Sequence, residues 1–515
     1  MPPTLDQIRN TRPTTAEHLW NWVYAYTGIR MATEAVCPGH QAPFEAFASW
    51  QLNPANLTLM LGPRGGGKSF LSAIDTHLRS RFHPRHGTRI LGGSKAQSEQ
   101  IYDALSEVIR DGRGRLGNDA ASIDKLLKTQ ATYKNGSSVT ILAASPTSVR
   151  GPHVPSLKLD EVDEIDPDVR ESAMGMAMER HGVKSSVLMT STWHRVGGPM
   201  ASLIDRAKNG DFPLHSFCMF EVLERCPEER SGRMFEKCPE CPLMPWCHEG
   251  RAEHPTGLPK AKRSSGHYAI DSAIQKVQGV SLRAFEADFL CKGPKADGLW
   301  FTQFDTIANQ SKDAEYDPSL PVHLSIDSGV FTGAVFFQVK ELPKPLSPRI
   351  TIFADYLAEN VSAEANARAL KELARVRCNG NLQRVSTDPA GGSRNPIGPT
   401  VIAEYERAGL RGRMGMEKWP IGSISDALTF VEGLICSADG TRSLLVHPRC
   451  KDTLVALSHY RRAKRGGQWM DYPEDPQHPF EDLVDALKGG LKREFPDGLA
   501  FRREFRSANV NRLRY

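Results

Sequence analysis

Two α/β domains joined by an irregular cysteine-rich segment is the fold class that this 515-residue sequence predicts. Three observations predict it. Short β-rich runs alternate with helical stretches through the first half, the pattern of a parallel sheet with helices on its faces. From Cys226 to Gly266 that pattern breaks into Pro, Cys, Glu and Lys without periodicity. A second α/β pattern then begins near Pro321. A chain of this length holds two or three domains, each with a sizeable core.

Taken in order, LTLML (57–61) reads as a strand and SFLSAIDTHL, shortly after it, as a helix. TRILGG (88–93) is a strand followed by the helix KAQSEQIYDALSEVIR. SSVTILAA (137–144), SLKLDE (156–161) and SSVLMTST (185–192) complete the first set of strands. In the second half HLSID, GAVFFQVK and RITIFADYLA are three successive strands, then come the helix SAEANARALKELARV and a fourth strand, QRVSTD. Three strands, a helix and another strand is the order that opens an RNase H-like domain. The division expected is a helical lead-in (1–50), a P-loop domain (51–217), a Cys-rich linker (218–266), a further linker or subdomain (267–320), an RNase H-like domain (321–497) and a basic tail (498–515).

The formal net charge of +5 and pI near 8.6 are mildly basic, so a polyanion partner has to be argued from local clusters. The N-terminus lacks a basic stretch followed by an apolar one, and no run of roughly 18 apolar residues occurs. A soluble, cytoplasmic protein without a membrane partner is expected. Four of the ten cysteines fall in one short segment and the others are scattered, unlike a secreted disulfide framework.

Gly62-x-x-x-x-Gly67-Lys68-Ser69 satisfies the P-loop pattern after a strand and before a helix, the context that gives it meaning. Gly62, Gly65, Gly66 and Gly67 let backbone N–H groups converge on phosphate oxygens. Lys68 would reach the β and γ phosphates and Ser69 would bind Mg²⁺. SLKLDEVDEID supplies carboxylates: Asp160 to hold Mg²⁺ through water and Glu161 to polarise the attacking water. Asp163, Glu164 and Asp166 read as a solvated acidic loop. Upstream, Gln41 has an amide suited to an adenine edge and Phe44 a ring suited to stacking on it. Arg150 and Arg64 are candidates for a guanidinium on the γ phosphate, and Thr190-Ser191-Thr192 for sensing it. Together these specify an ASCE (RecA-like) type of P-loop domain.

With HQAPFEAF, GPRGGGKS, ILGGSKAQSEQIYDAL, SVRGPHVPSLKLDEVDEID and VLMTSTWHRVGG in this order, nearly the whole chain resembles the large terminase subunits of tailed bacteriophages. Those are the ATPases that pump DNA into a procapsid and cut it. The specific part of the resemblance is the order, a P-loop ATPase and then an RNase H-like nuclease. It implies ATP with Mg²⁺, double-stranded DNA, a portal protein, a small terminase subunit and a homo-oligomeric ring, a pentamer in the family. It also implies work in the host cytoplasm and absence from the mature virion.

A two-metal nuclease needs carboxylates converging from different elements, because divalent ions about 4 Å apart must clamp the attacking and leaving oxygens. Asp327 ends the first strand of the second domain, Asp388 ends the fourth, and Asp482 and Asp485 lie one turn apart in HPFEDLVDALKGG, which opens the last long helix. By the resemblance, Asp327, Asp388 and Asp482 are ligands for two Mg²⁺ or Mn²⁺ ions, with Asp485 a fourth ligand or a support. Adjacent aspartates are common in the family at that helix. Here Glu481 precedes Asp482, which leaves open which of Glu481, Asp482 and Asp485 binds metal. Arg461, Arg462, Lys464 and Arg465 around a Gly-Gly turn read as a basic hairpin for a DNA backbone, and Lys260, Lys262 and Arg263 as a weaker patch.

Cys226, Cys238, Cys241 and Cys247 have a central C-x2-C-x5-C, a metal signature in which one turn chelates and the others close a tetrahedron. Zn²⁺ and a 4Fe–4S cluster both fit, in a structural role, with Cys218, Cys291 and His248 in reserve. Most terminases lack this element. A helicase or helicase-nuclease would need a second RecA-like domain after Thr192, where the chain turns instead to cysteines and then to Asp327. A non-enzymatic zinc-bearing DNA-binding protein would have no use for an intact Lys68, Ser69, Asp160 and Glu161.

Overall fold

The structure, a computed structural model, describes residues 4–111, 114, 118–145, 148–149, 151, 153–195, 198–252, 254–293, 298–342, 348–389, 399–466 and 468–496. Arg150 and the tail 498–515 lie outside the described residues. The chain divides into two compact units, Met1–Ala273 with Glu286–Pro294, and Ile274–Phe285 with Lys295–Tyr515. The Cys-rich segment falls within the first unit. No helix among the described residues is long and apolar enough to cross a membrane.

The sheet of the first unit contains β1 (Leu57–Leu61), β2 (Gly87–Gly92), β3 (Ile123–Leu126), β4 (Gln130–Tyr133), β5 (Ser138–Ile141), β6 (Ser156–Asp160), β7 (Ser186–Ser191) and β8 (Leu214–Ser216). Their order is β3-β4-β5-β2-β6-β7-β1-β8. From β5 to β8 neighbours are parallel, and β3, β4 and β5 run antiparallel. β6 and β7 are buried at every residue, as central parallel strands covered on both faces must be. The helix Lys95–Asp111 lays Ile101, Tyr102, Leu105 and Ile109, one helical face, on Ala131, Tyr133 and Val139. β5 ends at Ile141, three residues short of the expected 144; its pairing with β2 runs to Ile90 opposite Ile141. β3 and β4 are unforeseen: four-residue strands such as IDKL, charged and half exposed at a sheet edge, carry no apolar alternation to detect.

In the second unit the sheet is β9 (His323–Ser328), β10 (Phe331–Lys340), β11 (Arg349–Glu359), β12 (Arg384–Thr387), β13 (Met416–Lys418) and β14 (Leu444–Val446). The order β13-β12-β9-β10-β11-β14 contains the three successive strands and the fourth that the sequence reading expects, the first three antiparallel and the fourth parallel to β9. Alternation along β10 feeds two cores, since Ala334 and Phe336 face one and Val335 and Phe337 the other. The helix Ala363–Cys378 covers the first with Ala367, Leu370, Ala374 and Cys378. The helix Phe480–Glu494 covers the second with Leu483, Val484, Leu487 and Leu491. A separate hairpin is formed by β15 (Arg462–Arg465) and β16 (Gln468–Pro473).

Candidate functional sites, a phosphate loop and a carboxylate cluster

β7 lies between β1 and β6, with Leu61 opposite Ser191 and Asp160 opposite Thr190. That register sets the Gly-rich loop, the acidic pair and the Thr-Ser-Thr run side by side at the carboxyl ends of parallel strands, where open α/β sheets bind ligands. The loop leads straight into the helix Lys68–Phe82. Gly65 and Gly67 have φ of 74° and 88°, which glycine adopts without strain. A Cβ on Gly66 would stand 2.5 Å from the Pro63 ring, so the curl closes only over glycine.

Lys68 is buried, its ammonium donating to the carbonyls of Gly62 and Pro63 at 3.1 and 3.2 Å and standing 3.8 Å from Glu161. Ser69 Oγ donates to one oxygen of Asp160 at 2.8 Å and Thr190 Oγ1 to the other at 2.5 Å. Burial and then the Glu161 charge push Asp160 up to about 6. Glu161 sits at φ 51°, an uncommon conformation for a side chain, which turns its carboxylate out of the strand line. There it accepts from Ser191 Oγ at 3.3 Å and from the Thr192 N–H at 3.5 Å. Thr192 Oγ1 in turn lies 3.0 Å from His194 Nδ1, a contact with no sequence signal.

Arg64 pairs with Asp288 of its own unit, through its N–H to the carbonyl at 2.7 Å and Nε to the carboxylate at 3.6 Å. Gln41 is fixed beside β8, its N–H donating to the Ser216 carbonyl and its Oε1 accepting from His215 Nδ1, both at 2.8 Å. Phe44 is a core residue, 8 % exposed.

The expected solvated acidic loop needs a correction. Asp163 is fully buried, accepting from the backbone N–H groups of Met200 at 2.9 Å and Arg195 at 3.1 Å, so it clamps the segment after β7. Glu164 is engaged with His194 at 2.7 Å and Arg195 at 2.6 Å. Asp166 does face solvent, capping the helix Pro167–Met174. A second missed feature lies beneath the site. Lys158, two residues before Asp160 on β6, is buried and ion-paired with Asp75 of the helix Lys68–Phe82, and Asp75 also takes Arg79 at 2.8 Å. A lysine inside the otherwise apolar SLKL was the available signal.

In the second unit Asp327 on β9 lies opposite Gly333 of β10. A Cβ there would come within 2.6 Å of the Asp482 backbone, so the absence of a side chain lets the last helix start directly over the strand pair. Gly489 and Gly490 repeat the device, over the Trp419 ring and over Ser325. Asp388 follows β12, whose Thr387 pairs with Ile326 next to Asp327. The four aspartates therefore converge. Asp327 is pushed up to about 8, first by burial and then by Asp485, Asp482 and Asp388, with Lys488 opposing. Asp482 is buried and accepts from His478 Nδ1 at 2.8 Å. Glu481 shares that histidine at 3.0 Å, and Asp485 accepts from Lys488 at 2.7 Å. His478, stacked on Phe331, was missed, although its i,i+4 spacing to Asp482 was readable. Carboxylates crowded until one keeps its proton are a donor set that fits divalent cations.

In the hairpin Lys464 lies over Trp469 and Arg465 over Tyr472, both exposed, as is Arg461. Arg462 must be removed from the basic set. It is 1 % exposed, paired with Asp471 at 2.9 Å and stacked on Trp300 at 4.0 Å. The weaker patch dissolves similarly: Lys260 is buried against Glu249, and Arg263 donates to the Val36 carbonyl.

Cys226, Cys238, Cys241 and Cys247 lie close enough to act on one another electrostatically, and burial pushes Cys247 up to about 12. The Ala261 carbonyl accepts from the Cys226 N–H, and the Ala261 N–H donates to Cys247 Sγ at 3.5 Å. His248 Nε2 is buried without a hydrogen-bond partner among the described residues. Among the described residues the groups that gather metal-capable atoms within 4.8 Å are His478 with Glu481 and Asp482, and Cys37 with His40, Cys218 and Glu221; the four Cys-rich thiols are not brought that close together.

No family model matches the chain, and no curated protein matches it. Among solved structures it is similar to the large terminase from the thermophilic bacteriophage D6E, at TM-score 0.53 and 11% identity, covering 87% of this chain and 97% of that one. The same terminase in complex with ATP-gamma-S matches at TM-score 0.51 and 11% identity, and in complex with ADP at 0.50 and 12%, with the same coverage. At such identity the likeness is one of fold: over 87% of its length this chain has the fold of a phage large terminase.

Proposed function

We propose that the chain is a terminase large subunit, an ATPase that translocates double-stranded viral DNA into a procapsid and an endonuclease that cuts the concatemer. One observation carries the reading: a single chain with this fold holds both a phosphate loop facing an Asp160–Glu161 pair and, in its second unit, a convergent set of four aspartates.

In the first site Lys68 and the loop N–H groups bind the triphosphate, Ser69 and Asp160 hold its magnesium, and Glu161 orients the attacking water. Arg64 and Arg150 are the candidate arginines for the γ phosphate. Gln41 reads the base. Thr192, bonded through its N–H to Glu161 and through its hydroxyl to His194, relays the state of the γ phosphate.

In the second site Asp327, Asp388, Asp482 and Asp485 hold divalent cations. A pair of them, when bound, supplies a polarised water and neutralises the phosphodiester. His478 orients Asp482, and Lys488 orients Asp485. Arg461, Lys464 and Arg465, with Trp469 and Tyr472 beneath two of them, follow the DNA backbone without reading bases. The Cys-rich thiols hold zinc or an iron–sulfur cluster as a staple. A ring of such subunits on a portal protein, supplied by a small subunit in the host cytoplasm and lost from the mature virion, is the working assembly.

Two activities of the full chain test this. ATP hydrolysis should rise with added double-stranded DNA, and plasmid cutting should need Mg²⁺ or Mn²⁺ but not ATP. ATP hydrolysis with DNA unwinding and no cutting would instead identify a helicase.

A further inference from the structure

Cys37, His40, Cys218 and Glu221 form a cluster apart from the phosphate loop and from the thiols of Cys226, Cys238, Cys241 and Cys247. They come from two short turns of the first unit. Cys37-Pro38-Gly39-His40 is a C-x2-H turn, closed by the His40 N–H on the Cys37 carbonyl at 3.3 Å and allowed by Gly39 at φ 75°. Cys218-Met219-Phe220-Glu221 is a C-x2-E turn directly after β8, at the start of the helix Met219–Val222. Spacing of i,i+3 in a turn points two side chains the same way, as the chelating pairs of zinc sites do.

The separations fit one ion. A tetrahedron has edges about 1.6 times its bond length, so zinc–sulfur bonds of about 2.3 Å give a sulfur–sulfur edge near 3.8 Å, and bonds of about 2.0 to 2.1 Å to nitrogen and oxygen give an edge of about 3.3 Å. Cys37 Sγ and Cys218 Sγ are 3.6 Å apart, His40 Nδ1 and Glu221 Oε2 are 3.3 Å apart, and all four ligand atoms lie within 4.8 Å of one another.

The surroundings are those of a built site. Cys218 and Glu221 are 2 % and 0 % exposed. The Phe220 N–H points at Cys218 Sγ at 3.4 Å, a bond that favours a thiolate. The Cys37 and Cys218 N–H groups hold the two Glu221 oxygens at 2.9 and 2.7 Å, fixing the carboxylate and leaving lone pairs on each. Two thiolates and a carboxylate around a divalent ion carry one net negative charge. Lys260, buried and paired with Glu249 at 3.0 Å, lies within electrostatic reach of both thiols and offsets it. That places a cation where the basic-patch reading of Lys260 fails.

We infer that Cys37, His40, Cys218 and Glu221 are a structural zinc site that ties the chain ahead of Gln41 to the end of β8. The tie has a consequence for the loop. Gln41 is bonded to Ser216 and His215, and Phe217 packs on Gly62, so the cation fixes one wall of the phosphate-loop region. The metal assignment is independent of the terminase reading. Only the bearing of this wall on a bound nucleotide rests on it.

The test is zinc content and zinc-edge X-ray absorption of the full chain. To remove the Cys-rich thiols from the signal, it uses Cys238→Ser/Cys241→Ser protein purified with zinc. The expected result is one zinc per chain with a mixed shell of two sulfurs and two nitrogen or oxygen ligands. A zinc-free protein or a sulfur-only shell would overturn the inference. In the otherwise unchanged chain, Cys37→Ser, and separately His40→Gln on the more exposed side, should each lower zinc content by one equivalent. Unchanged content in both, or a Cys37–Cys218 disulfide found by mass analysis of non-reduced protein, would contradict the site.

Discussion

The phosphate loop and the carboxylate cluster are both set at strand ends, but they balance charge in opposite ways. The loop is one contiguous stretch with its own buried cation, Lys68, and a set of backbone donors, so it is organised in advance for an anion. The cluster collects Asp327, Asp388, Asp482 and Asp485 from three distant segments, with His478 shared by Asp482 and Glu481 and Lys488 turned to Asp485. Burial and then this crowding push Asp327 up to about 8. One site is built for negative charge and the other for positive, and disabling each alone tests the difference.

The largest separable effect is on ATP. Lys68→Ala removes the cation of the first site, and ATP turnover should fall at least about a hundredfold while metal-dependent cutting persists. Equal loss of both activities in a folded variant would break the comparison. Next is Asp75→Asn, which leaves Lys158 buried without its full partner and should cost about 3 to 5 kcal/mol in the first unit. Denaturant unfolding followed by probes in each unit would check it: the second unit's transition should stay in place.

A smaller, pH-dependent effect belongs to the second site alone. Asp327 has a folded pKa of about 8 against an ordinary 3.8, so the metal-free native state binds the proton more tightly and loses stability as pH rises between those values. Metal-free Asp327→Asn should therefore melt higher than the parent at about pH 9 and not at about pH 4, while divalent cations raise the parent's melting temperature most at high pH. A flat difference across pH would remove the crowded-carboxylate account. The smallest effect is at the hairpin: Arg465→Ala should weaken DNA binding evenly across sequences and lower the salt slope by about one. Arg462→Ala should instead destabilise the unit, because that guanidinium is buried between Asp471 and Trp300.

The same contrast explains what the sequence made legible. The loop, Asp160 and Glu161 are read from contiguous patterns, since strand, turn and helix follow one another there. Asp327 and Asp388 were readable as strand ends, yet only the sheet order shows them side by side. Residues whose role depends on what packs over them escaped. Asp163 looks like the exposed Asp166 in DEVDEID but is capped by Met200 and Arg195, and Arg462 looks like its basic neighbours but faces inward onto Asp471 and Trp300, where the hairpin register shifts before Lys464. The C-x2-H turn at Cys37 is short, and its partner turn lies far along the chain.

The central claim is that one chain carries two separable sites, and the most direct measurement is Mn²⁺-dependent cutting of supercoiled plasmid by purified Asp327→Asn and Lys68→Ala proteins. Asp327→Asn should lose cutting by about a thousandfold, the several kcal/mol a misplaced metal pair forfeits, and keep ATP turnover, while Lys68→Ala cuts like the parent. Full cutting by folded Asp327→Asn would contradict the account.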